Sequence, residues 1–225
     1  MKNQNKSNNL YKFIKFLNVV FYVFLITTFP IVFIIYFRPF YYWQIKSLDI
    51  EQTSHYSYST IKTAYDSIMN YLSWFSSYSV GSLKSSVDGQ AHFHDVKILF
   101  TICTSLFLIS LLVVISISIF KFKHKNNFKT KFNQSFYASV FIVIFAIIIS
   151  IFALINFDKD FEIFHKIFFF EKYNWILNPD TDQIINILPE EFFRNCTIFI
   201  LSTTIIICCS TIVYNLIKLK KITKN

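Results

Sequence analysis

Four uninterrupted apolar runs constrain this chain more than anything else in it. They are Phe16 to Phe37, Ile98 to Phe120, Phe136 to Ile155 and Cys196 to Ile217, and none contains a charged residue. At ~1.5 Å per helical residue, each is long enough to cross a hydrocarbon core of ~30 Å. A soluble core of 225 residues would not need such runs, nor get by with only two glycines for its turns. The prediction is an all-α integral membrane protein with four transmembrane helices. Two longer loops, 38–97 and 157–195, would form a compact, mainly helical extracytoplasmic portion of one membrane domain, 1–225, and 121–134 a short cytoplasmic loop. The first run is too long for the core of a signal peptide, and no small-x-small cleavage site follows it, so it reads as a retained signal anchor.

Charge segregates completely between the connecting segments. Lys2, Lys6, Lys12 and Lys15 precede the first run; Lys121, Lys123, Lys125, Lys129 and Lys131 lie between the second and third; Lys218, Lys220, Lys221 and Lys224 follow the fourth. All 13 acidic residues fall in 38–97 or 157–195. Short lysine-rich segments stay cytoplasmic, which predicts both termini inside and the two longer loops outside. The formal net charge of +9 is thereby accounted for by the flanks of membrane spans, and no nucleic-acid partner is called for. Cys103, Cys208 and Cys209 fall inside runs and Cys196 at the edge of one. That placement supplies neither a disulfide framework nor a CxxC metal signature.

Both outer loops show helical patterning. Ile61, Tyr65, Ile68, Leu72 and Phe75 recur at helical spacing, with Lys62, Asp66, Asn70 and Ser73 on the other face. Asp88-Gly89 marks a turn, and from about Gln90 the chain runs helically into the second span. On that helix His92 shares a face with Asp95 and Val96, while His94 points away by ~200°. In the second loop, Phe157, Phe161, Phe164 and Phe168 trace a stripe with His165 beside it. Asn178-Pro179-Asp180 is a turn, and Leu188-Pro189-Glu190-Glu191 starts the helix of the fourth span.

The segment from Phe164 to Arg194 threads His165, Glu171, Lys172, Asp180, Asp182, Glu190 and Glu191 among Phe, Trp, Ile and Leu. Titratable groups on so much aromatic surface suit a boundary between water and lipid. Among the five histidines, His55 lies in a polar stretch and His124 in the basic cytoplasmic loop. His92, His94 and His165 remain, and they admit two chemistries. A zinc site could use three imidazoles, but His-x-His suits a strand, whereas helical metal pairs stand four apart. The other chemistry is proton transfer by His92 and His165 brought together at the outer surface, with Asp95 or Asp182 orienting an imidazole.

FHKIFFFEKYNWILNPDTDQIINILPEEFF, together with HFHDVK at 92–97, resembles the bacterial lipoprotein intramolecular transacylase family. His92, Asp95, Val96 and Lys97 match its first motif. Phe164, His165, Phe168, Phe169, Trp175, Pro179, Thr181, Asp182, Pro189, Glu190, Phe192 and Phe193 match its second. The family pattern has an Arg-Glu pair just before the first His; Asp88-Gly89 stand there instead. The resemblance implies four spans and an acyltransferase that needs neither cofactor nor metal. It would act on a diacylated bacterial lipoprotein embedded among membrane phospholipids. The sn-2 acyl chain of the diacylglyceryl-Cys would pass to the N-terminal Cys α-amine, leaving an N-acyl lyso lipoprotein. The resemblance makes His92 and His165 catalytic and puts Asp95, Lys97, Trp175, Asp182 and Glu190 in substrate-binding or orienting roles. Lys97, the Trp175 indole N–H and the second imidazole are all candidate oxyanion donors.

Two readings from other classes stand beside this one. A non-catalytic scaffold or sensor would use the outer loops as a binding surface. A solute transporter would place polar or charged groups within its spans, and these spans hold no charge.

Overall fold

In a computed structural model, which describes residues 2–73, 76–124, 132–169, 172 and 174–224, every regular element is a helix. Four are long: α1 (Lys2–Tyr36), α5 (Val87–Lys123), α6 (Gln134–Ile155) and α8 (Glu190–Lys224). Each is long and apolar enough to cross a membrane. Between α1 and α5 come α2 (Pro39–Ser47), α3 (Ile50–Ser54) and α4 (Tyr58–Ser73). Between α6 and α8 come α7 (Phe157–Phe168) and a 3₁₀ turn, Gln183–Ile187.

The long helices outrun their apolar stretches. With 37 residues, α5 is ~55 Å long at 1.5 Å per residue, nearly twice a hydrocarbon core. Its charge-free part is 98–120; the turns before it carry Asp88, His92, His94, Asp95 and Lys97. α5 begins at Val87, three residues before the start read from the sequence. α1 begins 14 residues ahead of its apolar run, because lysine and asparagine there extend the backbone pattern without needing a buried face. α4 spans 16 residues and carries Ile61, Tyr65, Ile68 and Leu72 of the predicted stripe; Phe75, the last of that stripe, lies outside the described residues, as does the middle of the basic loop, 125–131.

The chain falls into two compact units. The first comprises Met1–Pro30, Thr104–Ser150 and Leu201–Asn225. A small cluster of Ile26, Ala138, Ile142 and Cys208 is buried there. Phe141, Ile144, Phe145, Ile148 and Ile149 all stand exposed along α6. Apolar side chains turned outward over that length need lipid around them. At one end of this unit, Asn215 accepts the Asn133 N–H at 3.1 Å and donates to the Thr211 carbonyl at 2.9 Å.

The second unit comprises Ile31–Cys103 and Ile151–Ile200 and contains α2, α3, α4, α7 and the 3₁₀ turn. Its core is fully buried Tyr41, Ile45, Ile50, Ile61, Ala64, Ile184 and Ile187. Tyr41 stacks on Tyr65 with ring centroids 3.7 Å apart, and its hydroxyl donates to the Ile187 carbonyl at 2.6 Å. Pro39 opens α2 at a position where a missing N–H costs nothing. On the polar face of α4, Asp66 accepts from Arg38, Tyr42 and Lys62. Those hydrogen bonds and charges hold its carboxyl below the ordinary range, against burial, the largest single influence, which pushes the other way. Gly81 has φ +65°, and a Cβ there would lie 3.3 Å from the Ala64 Cα. The loop after α4 therefore packs directly on that helix at a residue suited to left-handed backbone.

Candidate active site

His92 lies a turn and a half into α5, ahead of the charge-free stretch, and only 8% of its surface is exposed. His165 lies near the end of α7, 7% exposed. The sequence puts α7 there: Asn156 caps it by accepting the Lys159 N–H at 3.0 Å, Asp158 and Asp160 sit in its first turn, and His165 and Lys166 in its last. The two imidazole centroids are 6.1 Å apart.

Aromatic rings hold both imidazoles in place. Phe169 stands 5.0 Å from His92 and 5.4 Å from His165. Trp175 stacks on His165 at 4.5 Å with planes 26° apart, and Phe161 lies 4.3 Å from the same ring. The His165 Nδ1 is 2.7 Å from the Phe161 carbonyl oxygen. A carbonyl only accepts, so Nδ1 carries the proton and Nε2 keeps a lone pair. The His92 Nδ1 is buried with no hydrogen-bond partner among the described residues.

This surrounding keeps both rings neutral. Burial drives the His92 pKa down to about 4, repulsion from His165 adds to that, and the charge of Asp95 opposes it. Burial also lowers His165, opposed by the Phe161 carbonyl. An imidazole stripped of water is a poor place to rest a proton and a good one to pass it through.

The other residues singled out in the sequence occupy four separate places. Asp95 accepts two hydrogen bonds from the Lys172 ammonium, at 2.8 and 3.0 Å, and one from Asn174 at 3.4 Å. Those bonds hold its carboxyl low even though burial, the largest influence, pushes up. It reaches His92 only as a charge. Asp182, 3% exposed, bonds Ser86 and Thr181 rather than an imidazole. Lys97 lies with its Nζ 4.1 Å from the centre of the Tyr71 ring. Glu190, in the first turn of α8, shares a hydrogen bond with Asp158, which raises its pKa. His94 is exposed and lines an open depression of about 280 Å³ with Lys97, Ile98, Thr101 and Ile102. It stands on another face from the His92–His165 pair, as 3.6 residues per turn requires. Trp175 alone of these joins the imidazoles directly.

Three parts of this arrangement have no signal in the spacing of residues. Phe169 touches both imidazoles, the Phe161 carbonyl sets a tautomer, and Lys172 with Asn174 takes up Asp95. The first was visible only as one more phenylalanine in an aromatic run, the second is a backbone group, and the third joins positions 77 residues apart.

Four helices long and apolar enough to cross a membrane define a multi-pass membrane protein. Residues 16–193 match the family described as lipoprotein intramolecular transacylase Lit. The chain belongs to the lipoprotein intramolecular transacylase family, and it is an acyltransferase of lipoproteins. It is similar to the in meso structure of the membrane integral lipoprotein intramolecular transacylase Lit from Bacillus cereus. That match has a TM-score of 0.82 at 27% identity and covers 95% of this chain and 99% of that one. Two further structures of the Bacillus cereus protein carry a single histidine replaced, by arginine in one and alanine in the other. They match with TM-scores of 0.77 at 27% and 26% identity, covering 99% and 97% of this chain and 98% and 99% of theirs. No curated protein sequence matches the chain.

Proposed function

We propose that His92 and His165 are the catalytic residues, working at the extracytoplasmic face on the N-terminal diacylglyceryl-cysteine of a lipoprotein. The observation that carries this is the pair itself: two almost fully buried neutral imidazoles 6.1 Å apart, one with its tautomer set. The outward orientation is supported by the charge segregation of the loops.

The acyl chains of such a substrate lie in the bilayer, and its ester and amine lie at the surface. An α-amine has a pKa of about 8, so much of it is protonated at neutral pH. The ammonium releases one proton to water, and as the freed amine attacks the sn-2 ester carbonyl the Nε2 lone pair of His165 takes a second proton from its nitrogen. Trp175, stacked on the ring, and Phe161, tilted against it, favour the imidazolium so formed. His92 stays neutral throughout, since its pKa of about 4 leaves it uncharged. With Nδ1 unpartnered, its proton belongs on Nε2, where it donates to the oxyanion. Collapse of the tetrahedral intermediate breaks the ester C–O bond. His165 returns its proton to the departing glycerol oxygen, giving an amide and a free sn-2 hydroxyl. Ester and amine belong to one molecule, so holding them in contact supplies much of the rate.

Loss of general acid–base help costs ~10²–10⁴-fold. His92→Ala and His165→Ala should each leave lipoproteins with a free N-terminal amine, read by mass spectrometry of N-terminal lipopeptides. The double variant should be little worse than either single one. Normal conversion by both folded variants would end the assignment.

A further inference from the structure

Asp182 and Gly89 have no place in the chemistry above, yet the Asp182 carboxylate packs directly against Gly89. α5 starts at Val87, which makes Ser86 its N-cap and Gly89 its third residue. The Ser86 Oγ accepts the Gly89 N–H at 3.0 Å, as a capping serine does. The other half of a capping box is a carboxylate on the third residue that reaches back to the N-cap N–H. Glycine has none. The carboxylate comes instead from Asp182, 96 residues downstream of Ser86. It accepts the Ser86 N–H and the Ser86 Oγ–H, each at 2.7 Å, with Thr181 Oγ1 at 3.1 Å and Ser85 Oγ at 3.4 Å completing its set. Next to it, Gln183 N donates to the Lys84 carbonyl at 3.1 Å, and Lys84 N donates to Gln183 Oε1 at 2.9 Å.

Gly89 makes room for this. A Cβ on it would lie 2.0 Å from Asp182 Oδ1 and 2.8 Å from its Cγ. Its backbone is ordinary helix, so only the carboxylate, and not the conformation, demands glycine here. The clamp joins the start of the helix that carries His92, six residues on or ~9 Å away, to the loop that carries Trp175, which stacks on His165.

We infer that Asp182 is a positioning residue, completing the N-terminal cap of α5 from the loop after α7 and so holding His92 at its working distance from His165, with Gly89 as its matched partner. The inference rests on the catalytic reading of that pair.

Four variants test it: Asp182→Ala, Asp182→Asn, Gly89→Ala and the double Asp182→Ala/Gly89→Ala. Each is purified in detergent, its melting temperature is recorded, and kcat and KM are measured on a synthetic diacylglyceryl-cysteine lipopeptide. Misplacement by about an ångström can cost 10²-fold in rate. Asp182→Ala should therefore lower kcat about 10- to 100-fold with KM little changed. Asp182→Asn still accepts the Ser86 N–H and should fall between. Gly89→Ala should be as damaging as Asp182→Ala, since its methyl meets the carboxylate. With Asp182 shortened, the nearest remaining obstacle is Ser85 Oγ at 3.3 Å, and alanine suits a helix better than glycine. The double variant should then melt higher than Asp182→Ala and be no slower. A harmless Gly89→Ala, or strictly additive losses in the double, overturns the clamp. So does an Asp182→Asn that falls in melting temperature but not in kcat; this arm also decides the matter if Asp182→Ala does not fold. Full activity of His92→Ala would instead sink the catalytic reading, whatever Asp182 does.

Discussion

Acid should destabilise this protein through His92 before it reaches the carboxylates. The His92 pKa falls from 6.5 to about 4 on folding, with burial the main cause. A base with a depressed folded pKa binds more protons unfolded than folded, so stability drops as pH falls from 6.5 towards 4 and levels off below that. At ~1.4 kcal/mol per tenfold, the full drop is about 3 kcal/mol, undiminished by solvent because the ring is only 8% exposed. For a chain of this size 1 kcal/mol moves the melting temperature by ~2–4 °C, so roughly 6–12 °C should be lost. His165 is shifted in the same direction and adds to the loss in both proteins compared. Asp66 and Asp95 are held below 3.8, so their contributions go only at lower pH. The assay is tryptophan-fluorescence melting in detergent at pH steps from 7.5 to 4, for the native chain and for His92→Gln. The native curve should fall through this window and the variant's should fall much less. Parallel curves would refute the depressed pKa and, with it, the neutral donor role given to His92.

Three other outcomes follow from named contacts. Tyr41→Phe leaves the buried Ile187 carbonyl without its donor, so denaturation should show a loss of about 1–3 kcal/mol while kcat of the folded enzyme is unchanged. Lys172→Met removes the ion pair to Asp95, but the lysine side chain is 55% exposed, so stability should change by under about 1 kcal/mol; a larger loss by the same melts would mean the pair is far less screened. In a background without the four free cysteines, single cysteines at Ser79 and Asn186 should react with an impermeant thiol reagent on intact cells and one at His124 should not; the reverse pattern would overturn the orientation.

The all-helical fold, the four spans and the family were legible from residues read in order. Apolar length and charge segregation are local properties, and a bilayer selects on them directly. His92 and His165 were legible too, by type and by motif. Their mutual distance, the neutral state of both rings and the partners of Asp95 and Asp182 were not. Spacing along a helix put Asp95 on the face of His92, but a carboxylate bonds the nearest donor in space, and that is Lys172, 77 residues on. Asp182 read as a carboxylate that could orient an imidazole; it lies at the N-terminus of α5, where unsatisfied backbone N–H groups outbid a distant ring. Gly89 looked like a turn signal and is helical; its reason is a single oxygen brought against it from elsewhere in the chain. What one stretch of chain and a solvent settle between them can be read from sequence. Desolvation, hydrogen-bond choice and close contact depend on atoms distant in sequence, and only the tertiary structure decided them.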